Sequence, residues 1–103
     1  PTAASWMLSG AKGVISVTAN VAPKWMAKLA EAALDGEQAK CLEIDEKLNV
    51  LHQQLFLESN PIPVKWVVSQ MNLSSEEIRL PLTQLAESHQ KKLLETVRKL
   101  EIL

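Results

Sequence analysis

Apolar side chains recur every three or four positions between residues 37 and 57, and polar side chains fill most of the positions between them. The apolar positions are Cys41, Ile44, Leu48, Leu51 and Leu55. This spacing places them on one face of an α-helix, so it predicts an amphipathic helix over residues 37–57. About two heptads are too few for a dimerising coiled coil. We therefore expect this helix to pack within its own subunit.

The same period predicts four shorter helices. Three of them cover residues 2–9, 22–34 and 64–71. A closing helix begins at a cap supplied by Thr83 or Ser88. The apolar segment at residues 80–82 is expected to lie extended over a pair of helices. The residues of the closing helix that are expected to face inward are Leu93, Leu94, Val97 and Leu100.

A different pattern occupies residues 14–17, which are rich in β-branched side chains. Such a run is typical of a strand buried on both faces, and the polar turn and helix that follow complete one βα unit of an α/β protein. No second run of comparable quality occurs in the chain. A lone strand cannot satisfy its own N–H and C=O groups. Its neighbours must therefore come from another copy or from a larger protein.

Composition narrows the class of protein without naming a function. The chain has 103 residues, of which 47% are hydrophobic and 22% charged, with a formal net charge of −1. This charge argues against a nucleic-acid partner bound through a broad basic surface. No apolar run approaches the ~20 residues that span a bilayer, so we expect no membrane partner and a soluble, cytoplasmic protein. The chain begins with Pro1 rather than Met, and we expect it to be incomplete at this end.

Candidate catalytic side chains are few. His52 and His89 lie far apart without a metal-ligand spacing, which predicts surface or interface roles and no metal. Cys41 lies on the apolar side of its helix and is most simply a core residue. Lys12 and Lys65 could serve Schiff-base chemistry, which needs a lysine with a lowered pKa in a dry site, but solvated or structural roles are favoured for both.

Fold geometry singles out one stretch that could touch a substrate. In parallel α/β folds, ligands bind at the carboxyl ends of the strands. Here that end comprises Ile15, Ser16, Val17 and Thr18. The alternative, which spacing alone favours, is that Ile15 and Val17 simply fill a barrel interior.

Three ordered segments resemble the dihydrodipicolinate synthase family, within the wider lyase family that includes N-acetylneuraminate lyase. They are residues 13–21 (GVISVTANV), 60–66 (NPIPVKW) and 79–82 (RLPL). The resemblance implies an α/β fold, the C-terminal part of a TIM (β/α)8 barrel of ~250 residues followed by a helical region. Residues 1–36 would form the last βα unit with the end of the preceding helix. Residues 37–103 would form the helical region, so the segment itself is mostly α.

The resemblance also implies an activity. Family enzymes condense pyruvate with aspartate semialdehyde through a lysine Schiff base, in lysine and diaminopimelate biosynthesis. The Schiff-base lysine, the proton-relay tyrosine and a relay threonine belong to earlier strands in the family. None has a counterpart here, and the chain has no tyrosine. We therefore expect no catalytic residue in this segment and no activity without the remainder of the barrel.

The resemblance does imply that this segment contains part of the family's pyruvate pocket. Ile15 corresponds to the residue that lines this pocket through its backbone, and Gly13 and Ser16 would be near neighbours. No cofactor or metal is expected. The resemblance further implies a homo-oligomer, a dimer or a homotetramer.

Two alternatives stay open at the level of sequence. One is another pyruvate-dependent aldolase of the same lyase family. The other is a small non-enzymatic helical module, whose binding surface would be the apolar stripe of residues 41–55 together with residues 80–82.

Overall fold

The computed structural model describes residues 2–103. The chain divides into two compact units, Pro1–Val50 and Leu51–Leu103. The helices predicted from the 3.6-residue period form, close to their predicted ends. They are α1 (Thr2–Leu8), α2 (Pro23–Leu34), α3 (Gln38–Gln54), α4 (Ile62–Gln70) and α5 (Glu87–Lys99), and a 3-10 turn covers Thr18–Asn20.

The first unit is built around α2. This helix starts with Pro23, whose missing N–H costs nothing in a first turn, and it packs against both α1 and the 3-10 turn. Met26 and Leu29 lie on its buried face, and Ala4 and Met7 are the buried residues of α1. Burial of each large apolar side chain contributes about 1.5–3 kcal/mol, so these contacts hold the unit together.

The apolar stripe of α3 is buried along its whole length, from Cys41 to Leu55. The helix was predicted to reach residue 57 but ends at Gln54. The N–H groups of Phe56 and Leu57 instead bond three residues back, to Gln53 and Gln54, which tightens the chain into a turn. The apolar stripe that the helical-module alternative uses as part of its binding surface is thus buried in this structure.

The predicted strand at residues 14–17 does not form. Residues 11–16 carry no regular secondary structure, and no strand occurs within residues 2–103. Ile15 is fully exposed, at 105% of its reference area, where a side chain buried on both faces of a sheet was expected. The reason is that a strand exists only when it is paired, and this part of the chain provides no partner. The described residues are mainly helical, as was expected for this segment, but the one predicted strand is absent from residues 2–103.

The second unit contains α4 and α5, which contact each other. Leu93 and Val97 of α5 are buried as predicted, whereas Leu94 and Leu100 are only half-buried. The segment at residues 80–82 does not stay extended as predicted. It enters a turn, and Leu80 is 90% exposed.

Four helices end in the same backbone motif. After α1 and α2, Gly10 and Gly36 adopt positive φ values of 118° and 73°. Asn72 after α4 and Glu101 after α5 do the same, at 60° and 59°. In each case the next N–H reaches back five residues to a helix carbonyl, as Ile102 does to Val97 at 2.9 Å. This is the Schellman arrangement, which satisfies carbonyls that a helix end otherwise leaves free.

Candidate functional site

The residues predicted to line a substrate pocket lie on the irregular segment that precedes the 3-10 turn. Gly13 and Ile15 are exposed, and Ser16 is half-buried. Within residues 2–103, no backbone hydrogen bond involves residues 12–15. This stretch can therefore offer free N–H and C=O groups to a neighbouring strand or a ligand. Residues 13–17 contain no titratable side chain, so they can bind but cannot supply an acid or a base.

Immediately after Ile15 the chain becomes tightly held. The Ser16 hydroxyl accepts a hydrogen bond from the Ala19 N–H at 3.3 Å. The Val17 carbonyl accepts two, one from the Asn20 N–H at 3.1 Å and one from the Asn20 side-chain amide at 3.0 Å. Thr18 is buried, and its carbonyl accepts the Val21 and Ala22 N–H groups. An exposed segment is thus attached to a turn that hydrogen bonds fix.

The candidate nucleophiles named from the sequence are Cys41, Lys12 and Lys65. Cys41 is buried, and burial, with a smaller contribution from the Asp45 carboxylate, raises the pKa of its thiol above the ordinary value. A thiol with a raised pKa is a poor nucleophile, so the interpretation of Cys41 as a core residue is confirmed. Lys12 is exposed beside Gly13, and Lys65 is half-buried in α4.

A surface role, one of the two roles predicted for the histidines, is wrong for His52. His52 is buried, because it follows Leu51 beside the apolar stripe of α3. His89 is half-buried, and its Nδ1 lies 2.7 Å from the Glu58 carboxylate. Within the described residues, no group of three or more histidine, cysteine or acidic side chains is arranged to hold a metal ion.

Glu58 is a residue that sequence reasoning missed. Its carboxylate accepts the Ala86 N–H at 3.0 Å as well as facing His89. These contacts lower the pKa of Glu58, the Ala86 hydrogen bond contributing most and His89 next. Ala86 is the residue that precedes α5, and no side chain of its own caps the helix there. The predicted caps, Thr83 and Ser88, are therefore replaced by a carboxylate distant in the sequence.

An open cleft of about 740 Å³ lies within the second unit. Its lining includes Pro61 and Lys65 from the motif at residues 60–66. It also includes Arg79 and Leu82 from the motif at residues 79–82. The Glu77 carboxylate lies among the two cations, so the cleft has mixed charge. The two motifs are thus neighbours in space as well as in order.

The hydropathy of the described helices bears on whether any of them could cross a membrane. None of α1 to α5 combines the length and the apolar character that crossing a membrane requires.

Comparison with known proteins gives one consistent answer. A sequence model of the Dihydrodipicolinate synthetase family matches residues 1–100. The chain is 57% identical over 102 residues to a 4-hydroxy-tetrahydrodipicolinate synthase of Legionella pneumophila, a match that covers 99% of this chain and 35% of the relative. It is 60% identical over 92 residues to the enzyme of the same name from Alkalilimnicola ehrlichii, covering 89% of this chain and 30% of the relative.

Solved structures agree with the sequence comparison. The chain is similar to a chloride-inhibited dihydrodipicolinate synthase of Acinetobacter baumannii in complex with pyruvate, with a TM-score of 0.94 and 44% identity. That match covers 99% of this chain and 35% of the structure. A Thermotoga maritima dihydrodipicolinate synthase gives a TM-score of 0.94 at 37% identity, covering 98% and 34%. The chain spans about a third of the length of the relatives it matches.

Proposed function

Because the chain belongs to the dihydrodipicolinate synthetase family, we propose that it is the part of a 4-hydroxy-tetrahydrodipicolinate synthase that completes the barrel and one wall of its pyruvate pocket. Residues 1–36 supply the last βα unit, and residues 37–103 supply the helical region. The whole enzyme condenses pyruvate with aspartate semialdehyde. It works as a homo-oligomer, a dimer or a tetramer.

The observation that carries this proposal is the state of residues 12–15. They are exposed, carry no regular secondary structure and make no backbone hydrogen bond within residues 2–103, although residues 14–17 have a sequence typical of a buried strand. A segment with these properties gains most when strands are supplied on both of its edges. Pairing would bury Val14 and Ile15 at the same time, which adds apolar burial to the hydrogen bonds.

In the proposed reaction, this chain helps to bind pyruvate and supplies none of the reacting groups. In the proposed reaction, a lysine amine adds to the keto carbon of pyruvate and water leaves, which gives an imine. Loss of a methyl proton gives the enamine, whose carbon attacks the aldehyde carbon of aspartate semialdehyde. The lysine and the proton relay belong to the remainder of the barrel. Ile15 contributes backbone groups to the pocket, with Gly13 and Ser16 beside it.

A chimera tests the proposal directly. The matching third of the Legionella pneumophila relative is replaced by this chain, which differs from it at fewer than half of the aligned positions. We expect pyruvate-dependent condensation of aspartate semialdehyde at a rate close to that of the unmodified relative. The purified 103-residue chain, assayed in parallel, should give no turnover. A folded chimera without turnover, or an active isolated chain, would overturn the proposal.

The same chimera tests whether this chain contributes to the choice of second substrate. It is assayed with pyruvate and a panel of aldehydes. We expect a preference for aspartate semialdehyde at least as strong as that of the relative. A chimera that prefers a different aldehyde would move the assignment to a sibling enzyme, with this chain contributing to the choice of second substrate.

A further inference from the structure

We propose that Asn20 is a positioning residue for pyruvate, which it serves by fixing the turn that follows Ile15. The inference rests on the proposed function. Asn20 itself lies beyond the predicted pocket residues. Its carboxamide faces the backbone of its own turn rather than the exposed segment.

The first step is the geometry at Val17. A carbonyl oxygen has two lone pairs, and the Val17 oxygen uses both for Asn20, one for its N–H and one for its side-chain Nδ2. Two donors from one residue hold the Val17 peptide plane against rotation. The backbone bond is of the kind that any residue in a 3-10 turn makes, whereas the side-chain bond needs an amide of this length.

The second step links the turn to Ile15. The Ser16 hydroxyl accepts the Ala19 N–H, so Ser16 is tied to the same turn from its other side. Ile15 precedes this anchored pair directly. Its carbonyl shares a planar peptide unit with the Ser16 N–H, so the two groups turn together. Loosening the Val17 peptide would be transmitted to the pocket across two residues.

The third step is the expected kinetic signature. A residue that only orients the backbone of the pyruvate pocket affects pyruvate binding. It does not affect the proton relay or the binding of the aldehyde. Loss of one hydrogen bond that fixes such a group corresponds to about a tenfold change in an equilibrium constant. We therefore expect the KM for pyruvate to rise about tenfold in Asn20→Asp, while kcat and the KM for aspartate semialdehyde change less than about twofold.

The experiment uses the chimera described above. Asn20→Asp keeps the shape of the side chain but replaces the Nδ2 donor with an acceptor, which faces the Val17 carbonyl and repels it. Asn20→Ala removes the side chain altogether. Asn20→Gln keeps a carboxamide donor and should recover at least part of the pyruvate affinity. Asn72→Asp makes the same chemical change at an exposed turn in the second unit and should leave all three constants unchanged.

A second measurement reads pyruvate binding without turnover. Borohydride reduction traps the lysine–pyruvate imine, and intact mass gives the trapped fraction as pyruvate is titrated. We expect half-maximal trapping of Asn20→Asp to need about tenfold more pyruvate, in step with its KM. The isolated 103-residue chain, which lacks the Schiff-base lysine, serves as the blank.

The outcomes separate this inference from the proposed function. An inactive parent chimera overturns the proposed function itself. An active parent whose Asn20→Asp and Asn20→Ala variants keep the parent's pyruvate KM, or lose kcat at constant KM, overturns only the positioning role. If Asn20→Asp, Asn20→Ala and Asn20→Gln all fail to fold, Asn20 is a structural residue and the inference is likewise overturned.

Discussion

Replacing Glu58 with glutamine should destabilise the second unit by about 1.5 kcal/mol at neutral pH. The Glu58 carboxylate accepts two hydrogen bonds, at 3.0 Å from the Ala86 N–H and at 2.7 Å from His89. An ionised carboxylate has only acceptors, so His89 Nδ1 must carry the proton that the two groups share. The pair ties the chain that follows α3 to the start of α5.

The magnitude follows from the geometry and the exposure of the pair. Hydrogen bonds to a charged group contribute about 1.5–3 kcal/mol each when they are shielded from water. The side chains of Glu58 and His89 are 20% and 29% exposed, so the lower end of that range applies. The glutamine oxygen can keep one of the two bonds, which leaves a loss of about 1.5 kcal/mol, or roughly a tenfold change in the unfolding constant. Glu58→Ala should lose about twice as much.

The pH dependence has a defined sign. The pKa of Glu58 is lower in the folded chain than in the unfolded one. Its contribution is therefore complete above about pH 5, and it declines as the pH falls from the ordinary glutamate value of about 4.3 through the lowered folded-state pKa. The cost of Glu58→Gln should thus be full at pH 7 and shrink towards zero in acid.

Urea unfolding of the 103-residue chain, followed by circular dichroism and by the fluorescence of its three tryptophans, among them the buried Trp66, measures both effects. Glu87→Gln is the matched control, because it removes the same charge from the exposed first turn of α5 and should cost only about 0.5 kcal/mol. A loss in Glu58→Gln no larger than that of the control would refute the reasoning, and so would an equal loss at pH 7 and pH 3. A double-mutant cycle with His89→Gln should give a coupling of about 1 kcal/mol.

Three further predictions test other parts of the fold. Glu101→Gly should stabilise α5 by about 1 kcal/mol, because glycine adopts the observed φ of 59° without strain and a negative charge leaves the helix C-terminus; a higher Tm checks this. Leu51→Ala should cost about 3 kcal/mol in urea unfolding, whereas Leu42→Ala, at an exposed position of the same helix, should cost less than about 1 kcal/mol. Ile15→Lys should reduce concentration-dependent self-association of the isolated chain in sedimentation velocity, since it places a charge on an exposed apolar segment; unchanged association would show that contacts form elsewhere.

The helices could be predicted from the sequence because their signals are local. The stripe from Cys41 to Leu55 and the stop at Gly36 each lie within the helix or beside it. The burial of His52 could also have been found, since it stands four residues after Leu48, next to the stripe. The strand was different. A run such as residues 14–17 shows what the segment prefers when paired, and the pairing itself depends on residues far away.

The candidate site could likewise be predicted only where its signals are local in the sequence. The position of Ile15 beside a turn follows from the order of the segments, whereas the cap of α5 does not. Ala86 is capped by Glu58, which lies on a loop that precedes α4. Local rules favoured Thr83 or Ser88, because an N-cap is ordinarily supplied by the neighbouring residue. A cap that arrives from a separate loop depends on tertiary packing and leaves no short-range signal.

The Schellman ends of α1, α2, α4 and α5 bear on the order in which the protein assembles. Each end is fixed by hydrogen bonds that span only a few residues, so each of these helices can reach its final length without waiting for a distant segment. Contacts between residues far apart in the sequence must overcome the entropy of closing a long loop. Such contacts therefore form slowly. Residues 11–16 depend on contacts of that kind. The helices should therefore form early, and the docking of this short extended segment should be the slow step of assembly.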